Sequence, residues 1–127
     1  KVKRNLQSLV VAQAAVTALV SAFGDSMLSL RLRDLPTGYE AYLVTPLSNE
    51  EAKRETCRIE DTHPLGRLFD LDVIDADGVP MSRESVGLSP RKCLVCDNEA
   101  RYCMRNRTHT MAELTAKIDE MIESYVR

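Results

Sequence analysis

The sequence predicts one α+β domain in which helices pack with a small mixed or antiparallel sheet. Three observations point there. The chain has 127 residues, 44% of them hydrophobic, which suits one compact domain with a core. Apolar residues recur at helical spacing at both ends of the chain. Between those ends, short runs alternate apolar and polar residues and are bounded by turn signals.

The elements follow in order. Val2, Leu6, Leu9, Val10, Val16 and Val20 keep helical spacing. With the many alanines among them, they predict a well-buried helix over 2–22. Gly24 and Asp25 end it. Leu28, Leu30 and Leu32 alternate with Ser29, Arg31 and Arg33, which predicts a half-buried strand. Pro36-Thr37-Gly38 is a turn, and residues 39–45 read as the other arm of a hairpin. Ser48 followed by Glu51 is a capping box, so a helix begins there and runs over about 49–57. Its composition is hydrophilic, and a surface position is expected, with Cys57 an incidental residue on it.

His63-Pro64 breaks the chain. Residues 67–74 form the strongest strand candidate, Asp75-Ala-Asp-Gly78 is a turn, and 79–83 can return as a short strand. Asp75 and Asp77 lack the following spacing and terminal glutamate of a calcium loop. From Gly87 to His109 no period is visible. That is long for a structureless loop, so something must hold it. Thr110 and Glu113 form a second capping box. Met111, Leu114, Ile118, Met121, Ile122 and Tyr125 share one face of a helix over 111–126. No repeat or low-complexity segment is found. The first residues already read as mid-domain helix, so a preceding segment is expected.

Charge narrows the function classes. Charged residues make up 28% and the net charge is −2, which argues against a general nucleic-acid binder. The basic residues are uneven, however. Arg83, Arg91, Lys92, Arg101, Arg105 and Arg107 face only Glu84, Asp97 and Glu99 in the same stretch. That stretch suits phosphates, or is a solvated polar face. No run of eighteen apolar residues is present, so no membrane span is expected. No secretory pattern is found. Of four cysteines, three lie close together with a histidine, which reads as an intracellular, cytoplasmic chain rather than a disulfide set.

Three groups carry chemistry. In the stretch His63-Pro-Leu-Gly-Arg-Leu-Phe-Asp-Leu-Asp-Val73, a strand would project Asp70 and Asp72 from one face. Two such carboxylates repel each other and resist burial, and a divalent cation relieves both. Mg²⁺ at phosphoryl-transfer sites takes one or two carboxylates plus substrate phosphates. The same spacing also arises when the aspartates are simply solvated. Gly66 allows a phosphate to approach the backbone, or only turns the chain.

Cys93-x2-Cys96-x6-Cys103-x5-His109 is the second group. Its residue types and tight knuckle suit a structural zinc, which would order 87–109. A redox pair or small buried thiols are the alternatives. The third group is Arg67, Arg83 and Arg91, whose guanidinium groups can clamp phosphates. His63 can act as a base or orient a substrate, or make one loop hydrogen bond.

Together these residues resemble the holo-citrate lyase synthases, the apo-citrate lyase phosphoribosyl-dephospho-CoA transferases. The 63–73 stretch is similar to that family's Gly-[Ala/Arg]-Leu-x-Asp-x-Asp-Val signature. Ser82-Arg83, Pro90-Arg91-Lys92-Cys93-Leu-Val-Cys96, Cys103 and Thr108-His109 follow the same order and spacing. The likeness covers residues 63 to 122. Members of the family have further residues before the first helix, including charged positions.

The resemblance implies a nucleotidyl transfer. The donor is 2′-(5″-triphosphoribosyl)-3′-dephospho-CoA, and the acceptor is a serine of the acyl-carrier (gamma) subunit of citrate lyase. A phosphodiester forms and pyrophosphate leaves. Asp70 and Asp72 would hold Mg²⁺, and one of them could take the serine proton. Arg67, Arg83 and Arg91 would neutralise phosphates, and the basic 83–107 stretch would dock an acidic carrier. The Gly…Asp-x-Asp pattern also resembles polymerase-β-type nucleotidyltransferases, in which two strand carboxylates bind metal beside a glycine turn. Two other readings stay open. One is a nucleotidyltransferase for another acyl-carrier protein, such as that of malonate decarboxylase. The other is a non-enzymatic zinc-knuckle module.

Overall fold

The computed structural model describes residues 6–36 and 38–127. The chain divides between Met81 and Ser82 into two compact units. In the first, α1 (Leu6–Phe23) runs through a 3-10 turn at Gly24–Ser26 into β1 (Ser29–Leu35), β2 (Gly38–Val44) and α2 (Asn49–Thr62), then a 3-10 turn at Gly66–Leu68. In the second, a 3-10 turn at Glu84–Val86 precedes α3 (Ala100–Asn106) and α4 (Met111–Val126). The mixed α+β class is as predicted. The start of the predicted first helix and Thr37 of the predicted turn lie outside the described residues.

β1 and β2 form an antiparallel hairpin, with Leu30 opposite Leu43 and Leu32 opposite Ala41. Among the described residues this is a two-stranded sheet. α1 packs against β2 and α2. Its burial is less than predicted, since Ala14 and Phe23 are its buried residues. Helical spacing fixes which residues share a face, and a two-stranded hairpin offers little surface to cover that face. α1 is also long and apolar enough to cross a membrane by length and composition. Its polar residues are uncharged and scattered, so a search for an unbroken apolar run passes over it. Mostly buried core helices and signal sequences pass the same test.

α2 starts at the predicted cap. Glu51 N–H donates to Ser48 Oγ at 3.1 Å, and Ser48 N–H donates to Glu51 Oε1 at 3.3 Å. The helix continues five residues beyond the predicted end and stops at His63, whose extended backbone is what a following proline requires. The hydrophilic composition is misleading here, because α2 is not a surface helix. Ala52, Lys53, Thr56, Cys57, Ile59 and Glu60 are all buried. They form an inward stripe at helical spacing in which half the residues are polar. Cys57 and Leu65 are the largest fully buried side chains among the described residues, both 0% exposed, with Phe69 close behind. Cys57 therefore belongs to the core.

Gly66 is needed for space rather than for an unusual backbone angle. A Cβ there would lie 2.2 Å from the Glu60 carbonyl oxygen and 2.7 Å from that of Ile59. Gly66→Ala is expected to destabilise the protein by about 1–3 kcal/mol, the usual cost of overpacking. Urea unfolding would show this as a lower midpoint with an unchanged slope.

The predicted strand over 67–74 does not form. Residues 66–68 make a 3-10 turn, Phe69 is extended, residues 70–73 form no strand ladder, and Ile74 makes an isolated bridge with Pro80. That bridge is all that forms of the predicted return strand at 79–83. Alternation reports which residues face inward, and this segment achieves it against α2 without a neighbouring strand. Asp75 closes the predicted turn, accepting N–H bonds from Asp77 and Val79 at 2.9 Å each.

α4 matches its predicted limits and starts from the predicted capping box, with Glu113 N–H donating to Thr110 Oγ1 at 3.0 Å. The aperiodic 87–109 region is ordered and contains α3, which ends on Arg107 in the left-handed conformation.

Candidate functional site

Two groups of side chains stand out, one in each unit. In the first unit the chain leaves α2 at His63. The His63 Nδ1 accepts the Leu65 N–H at 2.9 Å, and the ring packs on Phe69 at 4.9 Å between centroids. Burial holds the His63 pKa below the ordinary histidine value, so the neutral ring that accepts this bond is favoured. Arg67, half-buried, lies in the 3-10 turn that follows. Phe69 then points into the core, and Asp70 and Asp72 are both exposed. Burial alternates along this segment as the sequence predicts, with Phe69 buried, Leu71 and Val73 half-buried, and Asp70 and Asp72 exposed.

Sequence reasoning missed one residue here. Glu60 is 4% exposed, and its Oε2 accepts the N–H of Leu71, between the two aspartates, at 3.0 Å. The signal was available in the spacing of Ala52, Thr56, Ile59 and Glu60, but an inward glutamate is easily taken for a solvated one. Arg83 and Arg91 lie in the second unit, the former buried and the latter half-buried.

The second group is Cys93, Cys96, Cys103 and His109. Their ligand atoms all lie within 4.8 Å of one another, and this is the cluster of metal-ligand type among the described residues. A tight turn builds the knuckle. Lys92 and Glu99 bridge, and Cys93 N–H donates to Asn98 O at 2.7 Å. Ala100 N–H, at the start of α3, donates to Arg91 O at 2.8 Å. α3 then brings Cys103 back to the knuckle, and the Arg107 turn brings His109.

Cys96 Sγ lies 3.5 Å from Cys103 Sγ and 3.4 Å from His109 Nε2. A tetrahedral zinc, with Zn–S of about 2.3 Å and Zn–N of about 2.0–2.1 Å, separates its ligands by roughly 3.5–3.8 Å. The spacing of these atoms is thus already close to what a zinc requires. All four cysteines are free thiols.

Backbone N–H groups aim at the sulfurs, as thiolates require. Val95 N–H donates to Cys93 Sγ at 3.4 Å. Burial pushes the Cys93 thiol up, but the N–H groups of Val95 and Cys96 outweigh it and the net shift is down. The N–H of Asn98, and then His109, lower Cys96 to about 7. The Cys96 sulfur in turn raises His109 above the ordinary histidine value. Cys103 is raised: a bond with the Thr108 side chain lowers it, but burial and the neighbouring sulfurs prevail.

The family model described as apo-citrate lyase phosphoribosyl-dephospho-CoA transferase matches residues 1–125. A probable apo-citrate lyase phosphoribosyl-dephospho-CoA transferase of Vibrio cholerae is 41% identical over 98% of this chain and 72% of its own length. A protein of the same name from Streptococcus pyogenes is 37% identical over 87% of this chain and 59% of its own length. Protein CitXG of Haemophilus influenzae is 37% identical over 87% of this chain, which spans 24% of that protein.

Proposed function

The chain belongs to the apo-citrate lyase phosphoribosyl-dephospho-CoA transferase family, and on that premise we propose that it attaches the phosphoribosyl-dephospho-CoA prosthetic group to citrate lyase. The donor is 2′-(5″-triphosphoribosyl)-3′-dephospho-CoA. A serine hydroxyl of the acyl-carrier subunit attacks its α-phosphorus. The bond to the bridging oxygen of the β-phosphate breaks, pyrophosphate leaves and a phosphodiester remains. The serine proton passes to a carboxylate or to solvent.

The carrying observation is the pair of exposed carboxylates, Asp70 and Asp72, beside a buried Phe69 and a turn held against α2. Hard oxygen donors open to solvent suit Mg²⁺, which keeps several waters and bridges to substrate phosphates. Bound there, Mg²⁺ would neutralise charge on the triphosphate and on the departing pyrophosphate. In this reading Gly66 keeps the turn tight and Arg67 pairs with phosphate oxygens, while Arg83 and Arg91 of the second unit are proposed as phosphate ligands on residue type alone. His63 braces the turn through its bond to Leu65 and orients what binds beside it. The likeness to polymerase-β-type enzymes lies in the reaction and the Asp-x-Asp pattern, not in a strand.

The basic residues of 83–107 would meet an acidic carrier, a contact that speeds encounter more than it adds affinity. Cys93, Cys96, Cys103 and His109 would hold a structural zinc, with all four positions taken by protein ligands and none left for substrate. Free thiols and such a site suit the cytoplasm.

The test is to incubate the full-length protein with the donor, Mg²⁺ and apo-carrier, and to weigh the carrier by mass spectrometry. The expected result is a gain equal to the phosphoribosyl-dephospho-CoA group. No gain from a folded enzyme, with a gain on a malonate decarboxylase carrier instead, would move the acceptor to that system.

A further inference from the structure

α2 buries a lysine and a glutamate, Lys53 and Glu60, 6% and 4% exposed. A carboxylate removed from water is costly unless hydrogen-bonded or paired. Glu60 has such a bond, and its donor is informative. The Leu71 N–H belongs to the peptide joining Asp70 to Leu71, and it donates to Glu60 Oε2 across eleven residues of chain. The backbone bonds that flank this stretch are Phe69 N–H to Gly66 O at 3.1 Å and Met81 N–H to Val73 O at 2.9 Å. Between them no strand ladder forms among the described residues. A buried side chain thus takes the place that a neighbouring strand's carbonyl would fill.

The main chain of Glu60 meets the same loop. Its carbonyl oxygen lies so close to Gly66 that no side chain fits between them. One helical residue therefore holds the loop both before and within the aspartate pair. Fixing the Asp70–Leu71 peptide fixes the backbone angles on either side of it, ψ of Asp70 and φ of Leu71. Those angles set where both carboxylates project, and useful sites tolerate only about 0.5 Å of error in such placement. Glu60 forms no three-ligand cluster with Asp70 and Asp72 among the described residues. Its action is through them.

We propose that Glu60 is a positioning residue for the transfer reaction, its buried carboxylate locking the Asp70–Leu71 peptide so that Asp70 and Asp72 face one cation. This rests on reading the two aspartates as the Mg²⁺-holding pair.

The experiment measures initial rates of carrier modification against Mg²⁺ concentration for the full-length protein and for Glu60→Ala, Glu60→Gln, Glu60→Asp and Asp72→Asn, with thermal melts of each. Glu60→Ala is expected to lower the rate by about 10–100-fold, the usual scale for an outer-shell partner, and to raise the Mg²⁺ concentration needed for half-maximal rate. Glu60→Gln keeps an oxygen that accepts the same N–H and is expected to recover most of the loss. Glu60→Asp keeps the charge but is one methylene short, and is expected to behave like Glu60→Ala. It carries the test if Glu60→Ala does not fold.

A merely structural glutamate would lower the melting temperature and leave the Mg²⁺ dependence alone. That result, or a Glu60→Gln variant as impaired as Glu60→Ala, overturns the proposal while the loss in Asp72→Asn leaves the transferase reading standing. An active Asp72→Asn removes the metal-pair reading and this proposal with it.

Discussion

Asp72→Asn is expected to lower prosthetic-group transfer by about 10²–10³-fold, because a metal-held carboxylate supports several kcal/mol of transition-state charge stabilisation. The side chain is exposed, so fold and melting temperature should be unchanged. The asparagine is nearly isosteric and still offers one oxygen, but it has lost the charge that attracts the cation. Raising Mg²⁺ is expected to recover part of the rate. Steady-state assays at two Mg²⁺ concentrations, with a mass measurement of the carrier, would check this. A variant as active as the parent would mean that the aspartates are simply solvated.

Loss of the cysteine–histidine centre is expected to act on structure rather than chemistry. Purified protein should carry about one zinc per chain, since four ligand atoms already lie within 4.8 Å. Removing it with a strong chelator, or replacing Cys96 by Ser, should release the turn between Lys92 and Glu99 and the bond from Cys93 to Asn98. Metal affinity in such sites is largely folding free energy, on the order of 10 kcal/mol. Amide exchange should therefore rise sharply over residues 92–109, while α2 keeps its protection. Replacing the zinc by Co²⁺ should give the visible absorption of a tetrahedral thiolate site. A protein free of zinc and equally protected with or without chelator would favour small packed thiols instead.

Legibility followed the physics of each signal. Both capping boxes gave true helix starts, because a cap depends on four consecutive residues and little else. The hairpin was legible for the same local reason. The Cys93, Cys96, Cys103 and His109 spacing identified the residues that the fold brings together, since ligand chemistry leaves few alternatives. The segment around Asp70 was read correctly for its alternation of burial and wrongly for structure. Alternation says which residues are buried, whereas a strand also needs a neighbour, and that is a tertiary matter. α2 was the larger error. Lys53, Thr56 and Glu60 are polar residues on its inner face, and single-residue hydrophobicity assigns all three to water. Only their partners, such as the Leu71 amide, explain their burial.

The bond between Glu60 and Leu71 also bears on the order in which the protein assembles during synthesis. It spans eleven residues, and closing a loop of about ten residues takes roughly 10–100 ns. Ribosomes add about 5–20 residues per second, so the stretch from Asp72 to His109 takes roughly 2–8 s to make. The loop bearing the aspartates can thus close against α2 long before His109, the last residue of the cysteine–histidine cluster, is made. Closing the Glu60–Leu71 bond needs only residues already made, whereas the cysteine-rich turn needs Cys103 and His109, which follow later in the chain. If the cluster takes a zinc, as proposed, shortage of the metal is expected to leave the turn over residues 92–109 unformed in chains whose aspartate loop has already closed.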